Sequence, residues 1–405
     1  LKPIAGVFMV QRQGKFGIDA LDSEPLVIAK SDATTPETGN HHSRLSLGSD
    51  GAKALVLHRH ISGKYKAHLL RHTLEPISGK LTELAPVAPD LTAYTGLPGG
   101  KPGPFNEAAG LATVAQTDVT FIVWEGRKEK GHSVPNGLWI RAFDTAGKPV
   151  SETASVASDP CEGACRPVSI VVAGVLHVVW TAPGSSELKM HRVKTKVSDA
   201  KIGFLADNPV VLEPKGVGAQ LAQVGAAALL TWHDTAGVNF ARVNGAGLKG
   251  KTKLAGTDAS TPAATVVGVD IAGTGTGGFF AVITCRKTQL IVEKVSDSGV
   301  KFGNTVPVGS CNNADRLLAA QGQPGQAVVV MREPANTKYG IVARKVQWPT
   351  PGADPEQLGA DLAVASVQTG SFIDIALTRV NDANAFVVGW SGDLDSAGVF
   401  VRRFR

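Results

Sequence analysis

The sequence of 405 residues is poor in the features that mark several common protein classes. Charged residues make up only 19% of the chain, and no dense block of lysine and arginine resembles a nucleic-acid-binding arm. Apolar runs stay at strand length, and none reaches the roughly 18–20 residues that a membrane-spanning helix needs. We therefore expect neither a nucleic-acid partner nor a transmembrane segment.

Cysteine is also scarce, and its spacing excludes two familiar uses. There is no C-x-x-C pair and no zinc-finger pattern. A small, even number favours two disulfides in a secreted, periplasmic or cell-surface protein; the alternative is four reduced thiols in a cytosolic protein. Cys161 and Cys165 would close a tight loop and leave Cys285 to pair with Cys311, although four cysteines allow three pairings. The chain starts at Leu1 rather than methionine, from which we expect a processed amino terminus.

Motifs of common enzymes and cofactor sites are missing as well. The sequence has no H-E-x-x-H, no G-x-S-x-G and no P-loop. The glycine-rich stretch 273–278 precedes an apolar strand instead of opening a helix, so it predicts a turn and not a dinucleotide loop. We expect no cofactor and no resident metal.

A short apolar phrase ending in tryptophan, by contrast, recurs along the chain. It reads TFIVWEG, LHVVWTA, ALLTWHD and FVVGWSG at 120–126, 176–182, 228–234 and 386–392. Aligning the whole chain on this phrase gives seven anchor positions, spaced 47 to 66 residues apart: His58, Trp124, Trp180, Trp232, Thr284, Met331 and Trp390. Self-similarity at this period is typical of repeat architectures.

Each repeat contains the same succession of short strands and turns. An alternating strand is followed by the apolar anchor strand, a variable loop, a strand that ends in a basic residue and a turn rich in glycine and aspartate. Four strands and about 50 residues per unit predict an all-β fold, a single seven-bladed β-propeller over residues 1–405. The tryptophans would fill the space between blades, and an N-terminal strand would complete the last blade and remove its open edge.

The phrase RAFDTAGKPVSE (141–152) resembles the RRFDxxGxPxGxE phrase of secreted bacterial propeller repeats. The resemblance covers most of the chain, but only through short and degenerate phrases, and it identifies no specific family. It implies a propeller fold and an exported protein, and it implies no particular activity. The basic residues that end the third strands would either form a positive belt or keep the solvent face polar: Arg192, Arg242, Lys294, Lys345 and Arg403.

Histidines are concentrated in the first repeat, where six of the ten lie within residues 41–72. In a propeller, the loops before the first strand and after the second strand of each blade share one face. This face would carry candidate ligand-binding residues at His41, His42, Arg59, Lys101 and Arg127. Candidate catalytic residues are His58, His60, His132, Tyr65 and Tyr94.

Three functions are compatible with this pattern. The first is an extracellular or periplasmic module that binds a glycan or a protein partner through the loop face of blades 1 and 2. The second is a polysaccharide lyase or other enzyme acting on acidic polysaccharide, with histidine or tyrosine as acid and base. The third is a structural subunit of a cell-surface assembly. We favour the binding module, and no metal-ligand spacing among the histidines is diagnostic.

Overall fold

The computed structural model gives the arrangement of most of the chain. It describes residues 20–31, 41–50, 52–62, 66–84, 87, 111–115, 119–126, 137–158, 165–182, 184–244, 247–258, 260–261, 264–269, 278–311, 318–323, 325–335, 338–350, 352–366, 372–380, 385–392 and 398–405. Within these residues no helix is long and apolar enough to cross a membrane.

Seven antiparallel sheets form a ring, as the repeat predicts. The first strands of successive sheets contact one another around the whole ring, including the first strands of blades 7 and 1. The strands of each blade are given from the first strand outward. Blades 1 to 4 consist of β2 (His41–Ser49), β3 (Ala54–Ser62), β4 (Lys66–Leu74) and β5 (Leu81–Leu84) in blade 1; β6 (Leu111–Ala115), β7 (Thr120–Gly126), β8 (Gly137–Phe143) and β9 (Ala154–Ala157) in blade 2; β10 (Val168–Val172), β11 (Val175–Ala182), β12 (Glu187–Lys194) and β13 (Val210–Glu213) in blade 3; and β14 (Val217–Val224), β15 (Ala227–Asp234), β16 (Gly237–Asn244) and β17 (Gly247–Lys253) in blade 4. Blades 5 to 7 consist of β18 (Thr265–Val269), β19 (Phe279–Arg286), β20 (Gln289–Ser296) and β21 (Lys301–Ser310) in blade 5; β22 (Leu318–Gln323), β23 (Gln326–Ala335), β24 (Lys338–Gln347) and β25 (Glu356–Gln357), with β26 (Leu362–Ser366) also paired to β24, in blade 6; and β27 (Phe372–Val380), β28 (Ala385–Gly392), β29 (Gly398–Phe404) and β1 (Leu26–Lys30) in blade 7.

The anchor residues lie between the blades. All seven fall on second strands, and none is more than 4% exposed. Trp180 packs among Phe121 and Val123 of blade 2, and Trp232 among Val179 and Met190 of blade 3. An anchor therefore covers the face of the preceding blade, which buries a sheet face that one blade alone would leave in water.

An N-terminal strand closes the ring. Strand β1 pairs with β29 as the outermost strand of blade 7, with Leu26 opposite Val401 and Lys30 opposite Gly398. The chain thus joins its two ends within one sheet and gives β29 a partner on its outer side. The predicted closure by an N-terminal strand is observed.

Candidate functional site

The loop face is the side of the ring where first strands begin and second strands end. In blade 1, the register places His41 opposite Ile61, so the start of β2 and the end of β3 lie together on this face. The strands of blade 1 bring His58, Arg59 and His60 to different depths below it. Their surroundings decide which of them a ligand on the loop face can touch.

His58 lies in the interior, paired with His72. The two Nε2 atoms are 3.0 Å apart, and the rings stack with their centroids separated by 5.1 Å. His58 is 0% exposed and His72 is 6% exposed. His58 shares a side of β3 with Val56, which packs against Val387 of blade 7, so the pair lies in the junction between blades 1 and 7.

This contact limits the charge of the pair. In an Nε2–Nε2 hydrogen bond one nitrogen donates and the other accepts, so at least one ring is neutral. Burial lowers the pKa of His72 below its ordinary value of 6.5, and the nearby carboxylate of Glu83 opposes that shift. Burial therefore favours the neutral form of His72, and the pair is packed in the interior rather than in contact with solvent.

The backbone register sets three histidines side by side across blade 1. His60 is the direct partner of His42 on β2 and of His68 on β4. The side chain of His60 is partly exposed. The side chains of His41, His42 and His68 lie outside the described residues. Among the blade 1 histidines whose side chains are described, His60 is thus the one within reach of a ligand, since His58 and His72 are buried.

In blades 1 and 2, the residue directly after the anchor in the sequence is charged and buried. Arg59 is 2% exposed and Glu125 is 5% exposed. The Oε1 atom of Glu125 accepts a hydrogen bond of 3.1 Å from the backbone N–H of Arg166, which fixes the chain where it enters blade 3. At the same position, blades 3, 4, 5 and 7 carry Thr181, His233, Cys285 and Ser391, and blade 6 carries Arg332, whose side chain lies outside the described residues.

Several candidate residues lie outside the described residues: Tyr65, Tyr94, Lys101, Arg127, His132 and Cys161. Their predicted places on the loop face stay predictions. In the part of the chain that is described, no three His, Cys, Asp or Glu side chains come together as metal ligands would.

The predicted disulfide between Cys285 and Cys311 is present. It joins the end of β19 to the connection between blades 5 and 6, with the Cα atoms 6.0 Å apart and 26 residues of separation. Both cysteines are buried. Cys165 is also disulfide-bonded, whereas Cys161, its predicted partner, is outside the described residues.

Of the five basic residues of the third strands, Lys294 and Arg403 bond to the next blade, a contact that sequence reasoning missed. Each of the five stands three residues after the strand partner of its blade's anchor, and none is exposed. Arg403 of blade 7 donates to the carbonyl oxygens of Pro76 (2.9 Å) and Ile77 (2.8 Å) in blade 1. Lys294 of blade 5 donates to the carbonyl oxygen of Ala353 (2.7 Å) in blade 6. Both therefore satisfy carbonyls in the turn between the third and fourth strands of the next blade.

In blades 6 and 7, the residue directly before the third-strand basic residue contacts the preceding blade instead of the next one. Arg402 donates to the carbonyl oxygen of Ala363 (2.8 Å) in blade 6, and Arg344 to that of Ser310 (3.0 Å) in blade 5. Successive strand residues point to opposite faces of a sheet. In blade 7, the successive residues Arg402 and Arg403 therefore connect the blade to both of its neighbours.

A shallow cleft on the opposite face, between blades 1 and 2, is organised by Arg71. Its guanidinium is buried, donates to the carbonyl oxygen of Gly147 at 2.8 Å and lies 4.0 Å from the centroid of the Phe143 ring. Burial, followed by repulsion from Arg141, lowers the pKa of Arg71 to about 10, so the side chain keeps its charge at neutral pH. These contacts make Arg71 another connection between blades.

Comparison with known proteins adds similarity of fold alone. No protein-family model and no curated protein matches the sequence. Among solved structures, the chain is similar to the Dos1 propeller, with 11% identity and a TM-score of 0.48 over 89% of this chain and 78% of that chain. A prolyl endopeptidase shows 13% identity and a TM-score of 0.42 over 87% of this chain and 47% of that chain, so this chain spans about half its length. AofleA from Arthrobotrys oligospora shows 12% identity and a TM-score of 0.43 over 84% and 98% of the two chains. Similarity this low carries no information on function.

Proposed function

We propose that the chain is an exported binding module that recognises a glycan or a protein partner through the loop face of blades 1 and 2. The observation that carries this proposal is the pair of buried charges, Arg59 and Glu125, at the loop-face ends of β3 and β7. Burying an ion costs several kcal/mol, so charges kept beneath a surface are expected where they organise polar contacts. The propeller supplies a rigid base on which the loops above them can be held.

His60 supports the same location. It is partly exposed and stands beside His42 and His68 in the register of blade 1. A neutral imidazole both donates and accepts hydrogen bonds, which suits the hydroxyl and carboxylate groups of a glycan as well as the polar groups of a protein surface.

The surroundings of His58 favour binding over catalysis. A ligand on the loop face cannot touch a side chain that is 0% exposed and stacked on His72 without a rearrangement of the junction between blades 1 and 7. A general base must come within hydrogen-bonding reach of the proton that it removes. The lyase hypothesis would therefore have to depend on residues other than His58.

Export is part of the proposal, and the disulfide between Cys285 and Cys311 supports it. Structural disulfides persist mainly in oxidising compartments, such as the periplasm and the cell exterior.

A glycan array that includes uronate-rich and sulfated polysaccharides tests the proposal. We expect binding that is weakened at least tenfold by His60→Ala and unchanged by Lys80→Ala, an exposed residue in the third-to-fourth strand turn on the other face. Any bound polymer is then incubated with the protein and assayed for chain cleavage, which would establish the enzyme instead. Binding that is insensitive to His60→Ala would place the ligand elsewhere, and silence across the array would leave a protein partner or a structural assembly.

A further inference from the structure

We propose that strand β13, the outer edge of blade 3, is a docking edge for an extended acidic segment of a partner protein. This surface is separate from the loop face of blades 1 and 2. The proposal combines two observations that point to the same place: an apolar strand edge and a local excess of positive charge.

The apolar observation concerns the side chains at this edge. Within the described residues, β13 pairs with β12 on one side and with no strand on the other. Val210 and Val211 are 46% and 47% exposed, and nearby Leu205 is 42% exposed. An edge strand presents unpaired backbone N–H and C=O groups, and an extended peptide can add to such an edge.

The charge observation concerns residues 187–253, which include β13 and most of blades 3 and 4. This stretch holds ten lysines and arginines and five aspartates and glutamates, a net charge of +5 out of the +6 of the whole chain. Seven lysines in it are exposed: Lys194, Lys196, Lys201, Lys215, Lys249, Lys251 and Lys253. The mild basic excess of the protein therefore falls within blades 3 and 4.

The two features meet at the junction of blades 3 and 4. The ammonium of Lys251 on β17 forms an ion pair with Glu213 of β13 and lies 5.7 Å from the centroid of the Trp232 ring. Lys253 is two residues further along the same strand, so it lies on the same side. No ion pair of Lys253 or Lys215 occurs within the described residues, which leaves both charges available to an incoming carboxylate.

An acidic peptide fits this edge better than a polyanionic polymer does. Exposed valines offer apolar contact that a sulfated sugar or a phosphate backbone does not use, and the spacing of the backbone groups at a strand edge matches the regular hydrogen-bond ladder of an extended peptide. Pro209 and Pro214 bound the strand and limit the pairing to about four residues, because proline cannot donate to a ladder. The partner is thus a short extended segment that carries both apolar and carboxylate side chains.

Fluorescence anisotropy with a labelled peptide of alternating valine and glutamate tests the proposal on the full chain. We expect binding that weakens as ionic strength rises, and no binding of the matched valine–lysine peptide. Lys215→Glu with Lys253→Glu is expected to weaken binding at least tenfold. Lys80→Glu in blade 1 is the matched control and is expected to have no effect.

A second pair of variants separates a docking edge from a simple charged patch. Val210→Thr with Val211→Thr keeps the strand preference and removes apolar contact. We expect it to weaken the valine–glutamate peptide several-fold and to leave binding of dextran sulfate unchanged, while Val300→Thr in blade 5 changes neither. Failure of the peptide to bind, or equal binding of peptide and dextran sulfate with no effect of the valine variants, would overturn the proposal.

Discussion

Arg403 and Asp22 form a buried ion pair across 381 residues of sequence. The Nε atom of Arg403 lies 3.0 Å from Oδ2 of Asp22, and the same oxygen accepts the backbone N–H of Arg403 at 2.9 Å. The other end of the guanidinium donates to the carbonyl oxygens of Pro76 and Ile77. One side chain therefore connects the N-terminal segment, the last strand and blade 1 at the point where the ring closes.

Replacing Arg403 by methionine is expected to lower the free energy of unfolding by about 3–5 kcal/mol, because it leaves the Asp22 carboxylate buried without its partner. Urea unfolding measures the change. The double variant Asp22→Asn with Arg403→Met should recover part of the loss, since it also removes the isolated charge. Arg405→Met, at the exposed terminus, is the control. A loss below about 1 kcal/mol in the single variant would show that the pair is worth no more than a surface salt bridge.

Gly268→Ala is expected to destabilise the ring at the contact between the first strands of blades 4 and 5. A Cβ atom at Gly268 would lie 1.9 Å from the carbonyl oxygen of Gln223, so the backbone of β14 or β18 must move. The expected loss is about 2 kcal/mol or more, measured by thermal or urea unfolding. Gly352→Ala is the matched control, because a Cβ atom there meets nothing within 4 Å. Equal stability of the two variants would contradict the close approach.

Removing the disulfide is expected to lower stability without opening the ring. For a separation of 26 residues, the loop-entropy model gives a loss of about 3.5 kcal/mol. Cys285→Ala with Cys311→Ala should show this loss in urea unfolding under oxidising conditions. Adding a reductant should destabilise the wild type further than the variant, because the variant no longer contains this bond. A variant as stable as the oxidised wild type would contradict the prediction.

Acid is expected to destabilise the protein partly through His177. This ring is 0% exposed, and burial, followed by repulsion from Arg192, lowers its pKa to about 4. Unfolding restores a pKa near 6.5, so the unfolded chain binds the proton more readily. The stability is therefore complete above about pH 6.5 and is lost as the pH falls from there towards 4.

His177→Leu should reduce the loss of stability between neutral and acidic pH by up to about 3 kcal/mol. Urea unfolding at the two ends of this range measures the difference. Val178→Ala, on the same strand, should lower the free energy of unfolding by the same amount at both ends, because valine does not titrate. An unchanged pH dependence in His177→Leu would assign the acid sensitivity to other groups.

The fold could be predicted because its repeat is set by packing. Large apolar residues such as Trp124 and Trp390 recur wherever a second strand must fill the space next to the preceding blade. Because every blade has this requirement, large apolar residues recur at regular intervals in the sequence. The same alignment places His58 at an anchor position, and this position indicates that His58 is buried like the tryptophans.

The basic residues of the third strands show why some contacts between blades could not be predicted from the sequence. A single sheet with one solvated face would keep Lys294 and Arg403 in water, and that expectation underlies the belt and solvent-face interpretations. In a ring, both faces of each sheet are covered by neighbouring blades, so these side chains reach carbonyl oxygens instead. Their acceptors belong to turns in a different repeat, and local sequence does not indicate that pairing.

The closure of blade 7 by β1 has a consequence for synthesis. Strand β1 ends at Lys30 and its partner β29 begins at Gly398, so 367 residues must be made between them. At the usual 5–20 residues per second, β1 waits roughly 20 to 70 seconds for the strand that it will join. By the end of that time six blades precede an unfinished seventh, and the nascent chain carries an unpaired strand that chaperones must keep from the wrong partner.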